Sequence, residues 1–394
     1  MTGTGGDSMN GSVHSFSGLI HKPDVRITVL FLGVVAVSCL VLYEFADPFE
    51  LMPSSFGSSS HSGSLSMVYQ QTYKMKFDVE LERVLNKASM KGKTVILTTL
   101  NDAWAEPGSV FDLFLESFQI GIETKKLLNN LVIISMDQKA HDRCLAIHPH
   151  CYALKTEGLV SSTEAPFMSE DYLKMMWRRI EFLNTVLQMG YSFVFTNLVN
   201  PAITGSDLKH KDADIMWLRN PFPRFYPQVD FQIACDKYYG NPEDKNNRPN
   251  GGFTYVRSNP RTILFYRFWF MSRKTYPGKH DQDVLNKIKK DRVLQKIELS
   301  MRFLDTAYFG GFCERSQDFN KVCTMHANCC YGLGTKVHDL KIVLEDWKNY
   351  TSLPPNERAS ASPSWRAPQN CRYYFRFLQP LYLTLKITST NQGC

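Results

Sequence analysis

The chain has 394 residues, which is enough for one large domain or two ordinary ones. Hydrophobic residues make up 43% of it and aromatic residues 13%, which is typical of a packed globular protein and excludes a mainly disordered chain. The formal net charge of +7 is modest, and no dense run of Lys and Arg dominates, so nucleic acid is not an expected partner.

The first predicted element is a membrane anchor near the N-terminus. Residues 27–43 carry no charge, and as a helix they would extend about 25 Å, the low end of what crosses a bilayer. Lys22 and Arg26 precede this segment, so the positive-inside rule predicts a cytosolic tail over 1–26 and a lumenal remainder. A cleaved signal peptide is the alternative, but no small-residue cleavage site follows. We expect a single-pass type II protein with an anchor over 27–45.

A Ser/Gly-rich stem over 46–74 follows the anchor, and predicted helices then alternate with buried strands. Because each strand is apolar on both faces, we expect a mainly parallel sheet covered by helices on both sides. Ligands of such sheets bind at the carboxyl ends of the strands. The patterns predict helices over 77–88, 110–129 and 169–189, and strands over 94–100, 131–137, 191–196, 230–235 and 250–257.

Two carboxylates separated by one small residue, Asp212 and Asp214, precede the apolar run 215–218. That spacing suits a hard divalent cation with oxygen ligands, although surface loops often contain such a tripeptide without any metal. The apolar run can anchor the carboxylates against a core. Thr98 and Thr99 also lie near a predicted strand end, which favours the metal interpretation of the Asp pair.

Three later segments carry further candidate residues. Two glycines that precede a strand allow the close approach of a backbone or ligand, although a plain turn is the alternative. The first turn of the helix predicted from residue 280 holds more polar residues than capping requires. A histidine lies in a cysteine-framed loop, where a structural role is the more common one. These candidates are Asn250, Gly251 and Gly252, then Asp281, Gln282 and Asp283, and finally His326.

Of the ten cysteines, Cys39 lies in the predicted anchor, and the lumenal ones predict disulfides because that compartment is oxidising. Cys144 and Cys151 are a plausible local bridge. Four cysteines crowd into residues 313–330 and predict a stapled loop, with a zinc site that includes His326 as the alternative. The connectivity does not follow from the sequence. Residues 354–367 are rich in Pro, Ser and Asn, which predicts a loose tail.

Taken together, these segments resemble the plant nucleotide-diphospho-sugar transferases of glycosyltransferase family 77, which include cell-wall xylosyl-, arabinosyl- and galactosyltransferases. The resemblance covers about residues 75–371. It implies a GT-A fold, which is a single Rossmann-like α/β/α sandwich, in a Golgi membrane protein of type II. It depends on TVILTTLNDAW, a long helix that runs into YSFVFT, DADIMWLRNPF, NGGFTYVRSN, HDQDVLN, MHANCC and the closing WRAPQNC.

The resemblance also implies an activity. The donor would be a nucleotide-diphosphate sugar of the UDP-xylose, UDP-arabinose or UDP-galactose class, and the acceptor a cell-wall polysaccharide or a glycoprotein. Transfer would retain the anomeric configuration, either by a double displacement or by a front-face attack; the sequence does not separate the two.

Site residues follow from the resemblance, position by position. Asp212 and Asp214 would hold Mn²⁺ (or Mg²⁺) against the diphosphate, and His326 would complete the metal site. Arg178 and Arg179 could reach a phosphate or lie on a solvated face. Thr98 and Thr99 would line the nucleotide pocket, Asn250, Gly251 and Gly252 would lie beneath the donor sugar or acceptor, and Asp281, Gln282 and Asp283 would face the reacting centre.

Two stretches depart from the family pattern: residues 197–211, between the strand and the Asp pair, and the apolar tail 372–394. The first departure makes a sugar-nucleotide-binding protein with impaired catalysis an alternative. A phosphotransferase with an Asp-x-Asp nucleophile is a third class. Such an enzyme would have Thr or Val two residues beyond the second Asp, where Met216 stands here.

Overall fold

The computed structural model describes residues 78–154, 169–197, 214–330, 332–361 and 363–372. The predicted cytosolic tail, anchor and stem lie outside these ranges, as do Asp212, residues 198–211 and residues 373–394. Among the described helices, none combines the length and the apolar character that a membrane crossing requires.

The described helices and strands follow the predicted alternation. The helices are α1 (Val79–Ala88), α2 (Asp102–Ala105), α3 (Val110–Ile120), α4 (Gln138–Ile147), α5 (Glu170–Gln188), α6 (Pro260–Thr275), α7 (Asp281–Ile288), α8 (Arg292–Lys296), α9 (Leu333–Ser352) and α10 (Pro355–Ser360). The strands are β1 (Thr94–Leu100), β2 (Leu131–Ser135), β3 (Cys151–Ala153), β4 (Ser192–Thr196), β5 (Ile215–Trp217), β6 (Phe231–Lys237), β7 (Arg248–Val256), β8 (Met301–Phe303), β9 (Phe309–Gly311) and β10 (Thr324–His326).

These strands form two sheets. The larger has the order β3-β2-β1-β4-β7-β6-β8, and the smaller has the order β5-β10-β9. In the larger sheet β1 to β4 are mutually parallel, β7 is antiparallel to both of its neighbours, and β8 is parallel to β6. The prediction of an α/β fold with a mainly parallel central sheet is confirmed.

Both faces of the larger sheet are buried, as the apolar strands predict. Along β1, Val95 and Leu97 join the core beneath α1, α5 and α6, whereas Ile96 and Leu100 join the core beneath α3 and α9. Full burial of one such aliphatic side chain is worth about 1.5–3 kcal/mol. The two cores therefore hold the sheet rigid from both sides, and its polar residues are left at the edge where the parallel strands end.

Two helix starts and one strand end show how local chemistry sets the element boundaries. The side chain of Ser169 accepts a hydrogen bond from the backbone N–H of Tyr172 and caps α5, as predicted. Strand β2 ends at Ser135, earlier than the predicted 137. Asp137 instead caps α4, because its carboxylate accepts from the backbone N–H of Ala140.

The predicted loose tail over 354–367 is wrong. Residues 355–360 form α10, and the Trp365 ring stacks on Phe319 with the ring centroids 3.8 Å apart. Farther along, Ala367 is completely buried. The backbone N–H groups of residues 369, 370 and 371 all donate to the carboxylate of Asp339 on α9, at 2.8–3.1 Å. One large aromatic side chain and one buried carboxylate therefore fix a segment whose composition predicts disorder.

The described cysteines confirm the predicted local bridge and the stapled loop. Cys323 and Cys235 remain as buried free thiols. The alternative zinc site around His326 is wrong, because three of the four cysteines in residues 313–330 are in disulfides, which leaves only the thiol of Cys323. The bridges are Cys144–Cys151, Cys313–Cys329 and Cys330–Cys371.

Candidate functional site

The candidate site lies where β1, β4 and β6 end. Strand β7 runs the other way, so it begins at this edge and brings its glycines to the ends of its neighbours. Thr196 of β4 pairs with Phe253 of β7, and the backbone N–H of Asn197 donates to the carbonyl of Gly252 at 2.8 Å. The antiparallel strand thereby places the predicted segment 250–252 beside the carboxyl ends of the parallel strands.

Of the two threonines predicted to line a nucleotide pocket, the structure brings one to this edge. The hydroxyl of Thr99 donates to the side-chain oxygen of Asn197 at 2.9 Å. Thr98 points to the opposite face of the sheet, because successive side chains of a strand alternate, and it is wholly buried. The structure does not join Thr98 to the other predicted residues.

A carboxylate that the sequence argument missed, Asp236, is the centre of the first group of site residues. Its Oδ1 accepts from Asn250 Nδ2 at 2.9 Å and from Asn328 Nδ2 at 2.7 Å, and its Oδ2 accepts from Gln282 Nε2 at 3.3 Å. We call Asp236, Asn250, Gln282 and Asn328 the amide cluster. These three side-chain amides hold the carboxylate in one orientation.

The backbone of the predicted glycines belongs to the same arrangement. The N–H of Gly251 donates to Gln282 Oε1 at 2.8 Å, and the N–H of Gly252 donates to Asn250 Oδ1 at 2.8 Å. Each side-chain amide therefore accepts from the glycine backbone with its oxygen and donates to Asp236 with its nitrogen. This fixes both amides in one orientation.

Asp281, predicted to face the reacting centre, is buried in an ion pair with Arg179. Its other oxygen accepts from the backbone N–H of Gln282 at 2.8 Å, and its carbonyl accepts from the indole of Trp269 at 2.9 Å. Burial alone would raise the pKa of Asp281, but Arg179 and His280 outweigh it and hold that pKa well below the usual range. Asp281 thus fixes the start of α7, from which Gln282 projects into the amide cluster.

The remaining predicted residues on these helices contact other groups. Asp283 is 47% exposed and lies 3.5 Å from His280 Nε2. Arg178 pairs with Glu181 on the surface of α5 at 2.5 Å. Of the two arginines, the structure therefore places Arg178 at the surface and buries Arg179.

The second group of site residues surrounds Asp214, which is 0% exposed. Strands β5 and β10 pair antiparallel with His326 opposite Ile215, and this register places Asp214 beside the histidine. His326 Nε2 lies 3.4 Å from Asp214 Oδ1, and Lys336 Nζ lies 3.0 Å from Asp214 Oδ2. We call Asp214, His326 and Lys336 the cation cluster.

In the cation cluster, the charge of Asp214 is offset by a neighbouring ammonium and an imidazole. Burial raises the pKa of Asp214, but the Lys336 ammonium and His326 more than offset this and hold that pKa below its ordinary value. Lys336 is itself only 2% exposed. The carboxylate is therefore ionised inside the fold, next to a buried ammonium.

Gly252 lies between the two clusters. A Cβ added there would come within 2.8 Å of both His326 Cε1 and Asn250 Oδ1. Only glycine leaves room for the imidazole and the amide at these positions. The sequence predicts a close approach at this glycine, and in the structure the His326 ring and the Asn250 side chain are the groups that approach it.

The cation cluster suits the divalent metal that the resemblance implies. Asp214 Oδ1 and His326 Nε2 are 3.4 Å apart, close to the roughly 3 Å that separates adjacent ligands of an octahedral ion with bonds of about 2.1 Å. Carboxylate oxygen and imidazole nitrogen are both ligands that Mn²⁺ accepts. Asp212, the third predicted ligand, lies outside the described residues.

A second set of potential ligand atoms among the described residues does not form a metal site. Cys330, Asp339 and Cys371 lie close together, but the two sulfurs are bonded in a disulfide. The carboxylate of Asp339 is engaged by the backbone N–H groups that follow Ala367.

Three important residues escaped the sequence argument, although two of them had a usable signal. Asp236 directly follows the predicted strand 230–235, which is the same strand-end signal that pointed to Thr98 and Thr99. Lys336 lies near the start of a helix, where the helix dipole disfavours a cation, so a compensating anion could be inferred. Asn328 had no such signal, because nothing in a single sequence distinguishes it from other loop amides.

Comparison with known proteins gives a consistent picture. The family model described as nucleotide-diphospho-sugar transferase matches residues 126–198 and 203–340, together more than half of the chain. Uncharacterized protein At4g15970 of Arabidopsis thaliana is 50% identical over 74% of this chain and 73% of its own length. Uncharacterized protein At1g28695 of the same plant is 38% identical over 73% of this chain and 84% of its own.

Solved structures match more weakly. A glycosyltransferase involved in the glycosylation of the major capsid of PBCV-1 is 10% identical with a TM-score of 0.35, over 62% of this chain and 99% of that one. Mouse xyloside xylosyltransferase 1, in its apo form, is 13% identical with a TM-score of 0.36, over 60% and 98%. TM-scores this low carry no argument. The family match and the identity with the Arabidopsis relatives show that the chain belongs to the nucleotide-diphospho-sugar transferase family.

Proposed function

We propose that this protein transfers a sugar from a nucleotide-diphosphate donor to a hydroxyl group of an acceptor, with a divalent metal at the cation cluster. The observation that carries the proposal is the juxtaposition of the two clusters across Gly252 at one edge of the sheet. One cluster offers buried positive charge and metal ligands, and the other offers an oriented negative charge. A nucleotide sugar needs both, since its diphosphate is anionic and its sugar becomes cationic as it leaves.

The cation cluster would bind the diphosphate. Asp214 and His326 would hold the metal, together with Asp212, and the metal when bound neutralises charge on the departing nucleoside diphosphate. Lys336 adds a buried ammonium. Its attraction for an anion is stronger there than at the surface, because the interior has a lower dielectric constant.

The amide cluster would act on the sugar. The bond between the anomeric carbon and the phosphate oxygen breaks, and its electron pair leaves with the nucleoside diphosphate. The acceptor oxygen forms the new bond and gives up its proton, which the departing phosphate takes in a front-face attack. Positive charge on the anomeric carbon would be stabilised by Asp236, with Gln282 beside it.

Retention, the donor class and the cellular setting belong to the same proposal. We propose UDP-xylose, UDP-arabinose or UDP-galactose as donor and a cell-wall polysaccharide or glycoprotein as acceptor, with the domain held in the Golgi lumen by a type II anchor. The family membership and the uncharged segment 27–43 support this setting. Asp281 and Arg179 would be positioning residues, because they act on the sugar only through Gln282.

The test incubates the full chain with Mn²⁺ and a panel of UDP-sugars and measures release of UDP. Asp214→Ala should abolish it, whereas the exposed Asp142→Ala, on α4, should leave it unchanged. Donor binding without turnover in the unaltered chain would favour a binding protein. Release of phosphate from simple phosphoesters, without use of any sugar nucleotide, would contradict the proposal.

A further inference from the structure

A cleft of about 760 Å³ lies next to the amide cluster. Residues of the segments 305–307 and 312–318 line it, together with the Cys313–Cys329 disulfide. Pro368 and Cys371 of the C-terminal segment also belong to the lining. The volume lies within the range of cavities that bind small molecules, which is about 300–1,000 Å³.

The lining of this cleft contacts the amide cluster through Cys313. Cys313 Sγ lies 3.6 Å from Asp236 Oδ1. The backbone N–H of Cys313 donates to Asn328 Oδ1 at 3.1 Å, and Asn328 in turn donates to Asp236 at 2.7 Å. A molecule seated against this disulfide therefore comes within a few ångströms of the carboxylate assigned to the sugar.

The charges in the cleft disfavour an acidic ligand. Three lining residues are carboxylates and two are cations, and both cations already have partners. Arg315 donates to the backbone carbonyls of Trp365 and Ala367 at 3.5 and 3.0 Å, and Lys321 lies 3.7 Å from a carboxylate oxygen of Asp318. Among the carboxylates, Glu314 pairs with Lys237, which is not part of the lining. The charges around the cleft therefore balance, and an anionic ligand would gain no net attraction and would have to displace these contacts.

The uncharged part of the lining suits a ligand rich in hydroxyl groups. The hydroxyl of Thr306 donates to Glu314 at 3.1 Å, and the NH₂ group of Gln317 donates to the carbonyl of Arg315 at 3.1 Å. The side-chain oxygens of Thr306 and Gln317 can still accept from a ligand hydroxyl, and the half-buried ring of Phe312 offers apolar surface. Saccharides present both faces at once, because hydroxyl groups surround a ring whose C–H groups are apolar. Such a mixture of apolar walls and a few polar groups is what defines the orientation of a bound small molecule.

We propose that this cleft binds the acceptor, and that the acceptor is a neutral saccharide which presents one hydroxyl group past Cys313 toward Asp236. The inference rests on the proposed glycosyltransferase function. It adds to that function the place of the acceptor and the chemical class to which the acceptor belongs.

The experiment measures saccharide binding and donor use separately on the full chain. Saturation-transfer NMR detects binding of methyl glycosides of neutral disaccharides, with digalacturonate as the acidic comparison, and UDP release reports the donor side. Gln317→Trp places a bulky ring in the mouth of the cleft. The matched control is Gln295→Trp, at an exposed position on α8, and Lys321→Trp is a second variant that fills the same mouth.

We expect Gln317→Trp and Lys321→Trp to weaken neutral disaccharide binding at least tenfold while UDP release without acceptor stays within twofold. Gln295→Trp should change neither. Unchanged disaccharide binding in both cleft variants, or preference for digalacturonate, overturns the inference and leaves the proposed function intact. Disaccharide binding that both cleft variants weaken, in a chain that releases no UDP, supports the cleft as a saccharide site and overturns the transfer function instead.

Discussion

Asp214 and Asp236 lie at the same edge of the fold, yet their surroundings are opposites. Asp214 is completely buried and meets an ammonium and an imidazole, whereas Asp236 is half-buried and meets three neutral amides. A buried ammonium and an imidazole offset the charge of the first carboxylate, and side-chain amides orient the second. In the proposed reaction the two identical side chains would do opposite work: Asp214 would complete a site for an anion, and Asp236 would face a cation that forms transiently.

Removal of the buried ammonium tests the first half of this comparison and should have the largest effect. In Lys336→Met the carboxylate of Asp214 loses its main compensating charge. Breaking a buried pair in this way costs about 3–5 kcal/mol of unfolding free energy. We expect transfer to fall about 1,000-fold, and denaturant titration together with UDP release checks both numbers.

The control for that variant is Lys341→Met, an exposed lysine on the same helix α9. It should leave stability within about 0.5 kcal/mol, as is usual for surface substitutions. Wild-type activity in Lys336→Met would show that the ammonium serves only to balance Asp214.

Neutralising Asp236 tests the second half of the comparison. Asp236→Asn keeps the size of the side chain but removes the charge, and its new NH₂ group faces either Gln282 or the two asparagine amides. We expect kcat to fall about 100-fold, comparable to the loss of one preorganised electrostatic group, with donor KM nearly unchanged. Steady-state kinetics separates the two constants. A rise in donor KM at constant kcat would assign Asp236 to ground-state binding.

A methyl group at Gly252 tests whether the two clusters work as one site. Gly252→Ala must push His326 or Asn250 away, because the added carbon lies 2.8 Å from each. We expect about a tenfold loss of activity and weaker activation by Mn²⁺, both measured by UDP release against metal concentration. Gly334→Ala is the matched control: a Cβ there meets nothing within 4 Å, and alanine favours helix α9 by up to about 1 kcal/mol.

A third carboxylate, Asp281, extends the comparison, because its ion pair with Arg179 makes the stability of the fold depend on pH. Because its pKa is lowered in the fold, its pair with Arg179 stabilises the native state at every pH above the ordinary carboxyl value of about 3.9. This contribution is lost as pH falls from there toward the depressed value. In Arg179→Met the acid-unfolding midpoint should therefore move to higher pH, with only a few-fold loss of activity.

Circular dichroism against pH measures that midpoint. Arg178→Met removes the adjacent arginine, whose pair with Glu181 lies at the surface and contributes at most about 1 kcal/mol. Its acid midpoint should match that of the unaltered chain. Equal shifts in both variants would mean that net charge, and not the buried pair, controls acid stability.

The sheet could be predicted from the sequence because its signals are local. Strand β1 has the predicted bounds, and the alternation of strands with helices predicts the parallel sheet. Motifs named Asp214, Gln282 and His326, and the structure brings these three to the candidate site. Lys336 and Asn328 were not named, and for Asn328 no local pattern exists, because its contacts are with residues far away in the chain.

Failure at the C-terminal segment has the same cause. Composition predicts a loose tail over 354–367, yet Trp365 packs on Phe319 and Cys371 is bonded to Cys330. A local sequence pattern does not show that distant residues, here Phe319 and Cys330, contact this segment in the fold.

This late segment has a consequence for biosynthesis. A chain leaves the ribosome N-terminal residues first, so the amide cluster and the cation cluster, which all precede residue 337, emerge before Pro368 and Cys371. These two residues of the cleft lining are among the last of the described domain to be made. The residues proposed to hold the donor therefore leave the ribosome before the last residues that line the proposed acceptor cleft.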